Sequence, residues 1–133
     1  MIIDSSVILT IVFQEPGYET PLAAMEEAVF VAAGTPTLTE TGIVLEARLG
    51  EKAHGMLERM LDELDIREIP FGEIHWRDAV DAFRRFGKGR HPAALNFGDC
   101  MTYAMAKLSG EELLFTGQDF SQTDLPSVLD QAP

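Results

Sequence analysis

Four short extended segments, separated by stretches of helical periodicity, constrain this chain more than any other feature. Met1-Ile-Ile is apolar and β-branched and stops at Asp4-Ser5-Ser6. Thr35-Pro-Thr37 is a brief extended piece. Asp65–Pro70 sets Ile66 and Ile69 among polar residues, and Glu111-Glu-Leu-Leu-Phe-Thr116 precedes a Gly-Gln-Asp turn. Between them the apolar spacing predicts helices. These run over Val7–Phe13, over Tyr18–Val29 with Leu22, Met25 and Val29 on one side, and from Thr37 to Gly50 on Ile43, Val44 and Ala47. Further helices are predicted over Glu51–Leu64 on Leu57, Leu61 and Leu64, and over Phe71–Phe86 on a core stripe of Trp76, Val80 or Ala79, Phe83 and Phe86. The last starts at Asn96, with Phe97, Met101, Ala104 and Leu108 inward. Short strands alternating with helices are the pattern of an α/β protein with a parallel sheet. The 133 residues read as a single domain, 1–133.

In such sheets ligands bind beyond the carboxyl ends of the strands. Acids stand at those places here. Asp4 follows the first strand and Asp119 the last, while Glu40 and Asp99 open helices. Each also has a purely structural role open to it. Asp4 or Ser5 suits a helix N-cap, Thr37-x-x-Glu40 and Asn96-x-x-Asp99 suit capping boxes, and Asp119 suits a turn. If the four converge, unit charges about 4 Å apart repel by roughly 4 kcal/mol at an effective dielectric near 20. A proton or a divalent cation must then relieve them. An all-oxygen set favours Mg²⁺ or Mn²⁺ over zinc, and suits phosphodiester chemistry.

Charge sharpens this reading. Twenty-two acids against ten Lys plus Arg leave a net charge of −12, which argues against a general nucleic-acid binder and agrees with acids gathered around a cation. Four of the ten bases, Arg84, Arg85, Lys88 and Arg90, fall in one short segment. A solvated helix end and a phosphate contact both fit that cluster. Cys100 is the only cysteine, which excludes an internal disulfide and agrees with a cytoplasmic setting. No apolar run reaches the roughly 18 residues of a membrane span. His54, His75 and His91 show no zinc-helix spacing; His54 and His75 read as surface or cap residues, and His91, beside the basic cluster, as a loop residue with a phosphate contact as the alternative.

Met-Ile-Ile-Asp4-Ser-Ser-Val, Glu40 in its Thr-x-x-Glu opening, Asn96-Phe-Gly-Asp99-Cys preceded by Gly89-Arg-His-Pro92, and Leu114-Phe-Thr-Gly-Gln-Asp119-Phe together resemble a PIN domain. The wording is most similar to VapC toxins of VapBC toxin–antitoxin modules, over nearly the whole chain. The resemblance implies a PIN-like α/β/α sandwich around a central parallel sheet of short strands. It implies a Mg²⁺- or Mn²⁺-dependent endoribonuclease that cleaves tRNA or rRNA, forms a homodimer and is neutralised by a cognate VapB antitoxin. Such antitoxins lay an apolar segment in a groove among the N-terminal helices and set a basic side chain in the acidic cleft. Carried over by position, the resemblance implies Asp4 and Asp99 as direct metal ligands and Glu40 as a ligand either directly or through water, also able to orient the attacking water. Ser5, Ser6 and Asn96 position substrate. The pattern departs at the fourth catalytic acid: many PIN domains have Thr-x-Asp, which here is Gln118, whereas the VapC-like Gly-x-Asp-Phe wording favours Asp119, one residue later. Asp124 is a further acid, read as a tail cap.

Two other acid-bearing classes fit less well. A receiver-like phosphoacceptor domain needs paired acids after the first strand and a lysine after the last; Asp4 has no acidic neighbour, and Thr116-Gly117 follows Phe115. A phosphatase with an Asp-x-Asp nucleophile needs an acid where Ser6 stands. A PIN-like module that binds RNA or protein without cutting has the same sequence signature as the nuclease.

Overall fold

The computed structural model describes residues 1–129, so the last four residues of the single unit expected over 1–133 lie outside the described residues. Four parallel strands, β1 (Ile2–Ile3), β2 (Val31–Gly34), β3 (Ile66–Ile69) and β4 (Leu113–Leu114), form one sheet in the order β3-β2-β1-β4. The helices are α1 (Ser5–Val12), α2 (Glu19–Glu27), α3 (Thr35–Leu49), α4 (Met56–Glu63), α5 (Glu73–Phe86) and α6 (Phe97–Ser109). A 3-10 turn, Gly50–Ala53, links α3 towards α4.

Strand side chains alternate between faces, and here they feed two separate cores. Ile2, Ala32 and Leu113 pack with Ala82, Phe86, Tyr103 and Met105 of α5 and α6. Ile3, Val31, Ala33 and Leu114 pack with Val7, Ile8 and Met25 on the other side, where Leu57, Leu61 and Leu64 join them. The result is three layers, helices on both faces of the sheet, and β1, β2 and β4 are accordingly apolar or small, while edge strand β3 leaves Arg67 and Glu68 exposed.

Several local expectations change. The piece Thr35–Thr37 is not extended: β2 ends at Gly34, which caps α3, and Thr35-Pro36 are the first helical residues, where proline is tolerated. Thr37 therefore lies inside the helix, and its buried hydroxyl meets that of Thr102 at 3.1 Å, tying α3 to α6. No Thr37–Glu40 capping box forms. The single helix expected over Glu51–Leu64 is broken by Gly55, whose φ of +76° lies in the left-handed region.

The apolar faces are also redistributed. α3 buries Leu38, Thr41 and Leu45, while Ile43 is 65% exposed and Ala47 is exposed. α5 buries His75, Ala79, Ala82 and Phe86, and leaves Trp76, Val80 and Phe83 in solvent. α6 buries Cys100, Tyr103, Ala104 and Met105, with Phe97 81% exposed and Leu108 also outward. Val29 lies beyond the end of α2 and is fully exposed. Among the described residues, no helix is long and apolar enough to cross a membrane.

Candidate active site

The carboxyl edge of the sheet is where β1, β2 and β4 release their chains. Asp4 leaves β1 in extended conformation, buried, and caps α1 by accepting the Ser6 N–H at 3.1 Å. Its own N–H donates to Leu114 O at 3.0 Å, which fixes it against β4. Ser6 reinforces that join: its Oγ accepts the Thr116 N–H at 3.1 Å, and Thr10 and Thr116 hydroxyls meet at 3.3 Å. The loop after β4 is thereby held over the start of α1. It carries Asp119 on its exposed side and anchors inward through buried Phe120, which packs edge-on against Phe115.

Asp99 is set by a capping box with Asn96. Its carboxylate accepts the Asn96 N–H at 3.0 Å, and Asn96 Oδ1 accepts the Asp99 N–H at 2.9 Å. Both orphan donors at the start of α6 are satisfied, and the carboxylate is left with one fixed orientation. Its neighbour in sequence, Gly98, lies against the Glu40 carboxylate, which reaches across from α3.

Asp99 is only 9% exposed, and burial is the main reason its carboxyl is pushed up from 3.8 to about 7. The Asn96 N–H opposes that rise. The negative fields of Asp4, Asp119 and Glu40 add to it. The four acids named from the sequence therefore act on one point, although they come from residues 4 to 119 of the chain. They lie near enough for the other three to act on Asp99, without closing into a tight cage. Among the described residues, no three acidic, histidine or cysteine side chains are gathered closely enough to hold an ion as they stand.

The donor set nevertheless fits a hard divalent cation. Every acid of the set offers oxygen, and burial together with the neighbouring negative charges raises the Asp99 carboxyl, a strain that a bound cation would relieve. Mg²⁺ needs few protein ligands because it keeps several waters, so an open arrangement of carboxylates suits it. Cys100 contributes no thiolate: burial first, then the Asp99 charge, push its thiol up to about 11.

The other sequence candidates are distributed differently. Ser5 and Ser6 begin α1 beside Asp4, and exposed Asn96 caps α6. Arg84 pairs with Asp81 at 2.9 Å, while Arg85 bonds the Tyr103 hydroxyl and Asp124 at 3.2 and 3.1 Å. Lys88 and Arg90 are exposed and make no ion pair among the described residues; Arg90 lies over the Phe83 ring.

Asp124 is no mere tail cap. Its carboxylate receives the Tyr103 hydroxyl at 2.6 Å, Arg85 at 3.1 Å and Lys107 at 3.2 Å. Partial burial pushes this carboxyl up, but the Tyr103, Arg85 and Lys107 donors outweigh it and bring it down to about 2. This network bolts the chain after Asp119 to α5 and α6. Sequence spacing gave no signal for it, since its members lie in three separate elements.

A parallel α/β sheet with four carboxylates acting on one point at its carboxyl edge defines a class: small proteins with a cation-binding acidic cleft suited to phosphodiester chemistry. A family model described as the PIN domain matches residues 1–125. Ribonuclease VapC36 of Mycobacterium tuberculosis is 44% identical over 126 residues, covering 94% of this chain and 91% of that protein. Ribonuclease VapC30 of the same species is 38% identical over 128 residues, covering 96% and 98%. The chain thus belongs to the PIN domain family, among its VapC ribonucleases. Solved structures agree on the fold. Mycobacterium tuberculosis VapC20, a sarcin–ricin loop cleaving toxin, superposes with a TM-score of 0.76 at 18% identity, covering 96% of this chain and 97% of that one. VapBC2 of Rickettsia felis, solved with a fragment of its promoter DNA, gives 0.75 at 12% identity, covering 95% and 94%.

Proposed function

We propose that this VapC ribonuclease is an endoribonuclease toxin that cuts tRNA or rRNA in the cytoplasm, with Mg²⁺ or Mn²⁺ held by Asp4, Glu40 and Asp99. The observation that carries the proposal is the combined field of Asp4, Asp119 and Glu40 on the buried Asp99 carboxyl. A cation there neutralises phosphate charge and makes a water more acidic. The chain's own residues do the rest. Glu40, on the accessible side of the cleft, orients the attacking water and takes its proton. Asp99 and Asp4 are held by their caps in fixed rotamers, so little ordering is needed when substrate arrives. Ser5, Ser6 and Asn96 border this edge and position the phosphodiester. Asp119, on the exposed loop, completes the acidic wall.

RNA must approach a chain of strongly negative charge. Lys88 and Arg90 are the basic side chains available to meet its phosphates, since Arg84 and Arg85 are engaged in ion pairs. A VapB-type antitoxin is the inhibitory partner, and the acidic cleft suits a basic side chain from it. The chain pairs as a homodimer through the apolar side chains it leaves outside, chiefly Phe97, Ile43, Val80 and Phe83.

The test is incubation of the partner-free protein with total RNA, in Mn²⁺, in Mg²⁺, in chelator, and as Asp99→Asn. Discrete fragments that need metal and vanish in the variant support the reading. Metal binding with no cleavage of any RNA favours the binding-module alternative.

A further inference from the structure

Gly98 stands at the second position of α6, between the capping residue Asn96 and the box acid Asp99. Its backbone is helical in kind and makes no demand for glycine: the residue is absent from those with positive φ. What requires glycine is its neighbour. A Cβ at position 98 would lie 2.9 Å and 3.0 Å from the two carboxylate oxygens of Glu40, and 3.2 Å from its Cδ. Real Cβ atoms do not sit that close to oxygen, so the Glu40 carboxylate occupies the space a side chain at 98 would fill. It rests over the first turn of α6, where the exposed N–H dipoles favour a negative charge.

We infer that Gly98 is the positioning residue for Glu40: the bare Cα lets the α3 carboxylate reach over the α6 N-terminus and join Asp99 at the cleft. The inference rests on the reading of Glu40 as a site acid and deepens it. Glu40 is a long side chain anchored on a different helix, and among the described residues no hydrogen bond or ion pair holds its carboxylate in place. Contact with the Gly98 backbone is then what sets where its oxygens lie. A methyl group there would push the carboxylate outward by a few tenths of an ångström or more. The displaced group is the free end of a flexible side chain, so the fold tolerates the change. The cleft does not, because small displacements of a ligand or general base are costly to chemistry.

The experiment uses the full chain as wild type, Gly98→Ala, Glu40→Gln and the double variant. Three quantities are measured on each: the melting temperature without metal, Mn²⁺ affinity by titration, and RNA cleavage rate. Gly98→Ala is expected to melt at or above the wild-type temperature, since alanine is the better helix former. Mn²⁺ affinity and cleavage are expected to fall about 10–100-fold, the usual cost of disturbing the support of a metal ligand. In the Glu40→Gln background the added alanine changes neither any further. Gly98→Ser, whose Cβ meets the same oxygens and whose hydroxyl suits a helix start, repeats the test should the alanine variant fold poorly. Wild-type affinity and cleavage in Gly98→Ala, beside a defective Glu40→Gln, would overturn this inference alone. Wild-type behaviour in Glu40→Gln would overturn it together with the role given to Glu40.

Discussion

Replacing Asp99 by asparagine removes a charge that the folded protein holds at a cost. Its carboxyl titrates at about 7 in the fold against 3.8 ordinarily. The folded state therefore keeps a proton that the unfolded chain releases, and stability falls as pH rises from about 4 to about 7, then stays level. At 1.36 kcal/mol for each pH unit the full loss is about 4 kcal/mol, and water entering the open cleft reduces it to about 2–4 kcal/mol. That is a large part of the roughly 5–15 kcal/mol that holds a typical domain together. Asp99→Asn keeps the shape and still offers an oxygen to the Asn96 N–H, so it recovers this energy. In urea titrations without metal, the variant is expected to unfold about 1–2 M later than the wild type at pH 8, for a slope near 2 kcal/mol per molar. The difference should shrink towards zero by pH 4. Subtracting the two profiles cancels the titration of groups that do not interact with Asp99. Mn²⁺ at a hundredfold its dissociation constant should raise the wild type by about 2.7 kcal/mol and leave the variant unmoved. A variant no more stable than the wild type at pH 8, or a difference that does not change between pH 4 and pH 8, would refute the reasoning.

Three further perturbations follow from the geometry. Asp124→Asn should cost about 1 kcal/mol at pH 7, because its partners are substantially exposed and screened. Since its carboxyl sits at about 2 in the fold, below the ordinary 3.8, that cost should fade as pH falls through 4 towards 2, as melting temperatures at the two extremes will show. Gly87→Ala should lower stability by about 2–3 kcal/mol in denaturant titration, because its Cβ would lie 2.4 Å from the Phe83 carbonyl oxygen, which is backbone and cannot step aside. Lys88→Glu with Arg90→Glu, made in an Asp99→Asn background to separate binding from cutting, should weaken RNA binding. The slope of log affinity against log salt should flatten by about 0.7 for each lost phosphate contact. Arg84→Glu should change that slope less, since Arg84 already pairs with Asp81.

The parts of this molecule legible in its sequence are those whose cause is local. Met1-Ile-Ile-Asp4 reads as a buried strand delivering an acid because strand, stop and cap are contiguous, and Asp4 does cap α1. Asn96-x-x-Asp99 reads as a capping box because both halves lie within one turn. Thr37-x-x-Glu40 has the same spelling and a different outcome. The helix had already begun at Thr35, and a buried partner on α6, Thr102, claimed the Thr37 hydroxyl. Periodicity likewise located the helices while misassigning their inner faces. Trp76, Val80 and Phe83 form as good a stripe as Ala79, Ala82 and Phe86. Which stripe faces the sheet depends on how closely α5 approaches it, and small residues permit that approach. The Asp124 network could not be read at all, because Arg85, Tyr103 and Lys107 meet it only once α5, α6 and the chain end are assembled.

The sheet order has a consequence for when this protein becomes what it is. β1 lies between β2 and β4, so the first strand made is completed by the last. The Asp4 N–H waits for Leu114, and the Ser6 hydroxyl waits for a backbone donor 110 residues downstream. Contacts so distant in sequence form late and together. During synthesis the growing chain holds three of its four cleft acids on a sheet with an open edge, and Asp4 is not yet fixed against β4. A chain that has not yet made β4 therefore lacks the partner that pins the start of α1, and the edge that carries Asp4 is finished only by the last strand.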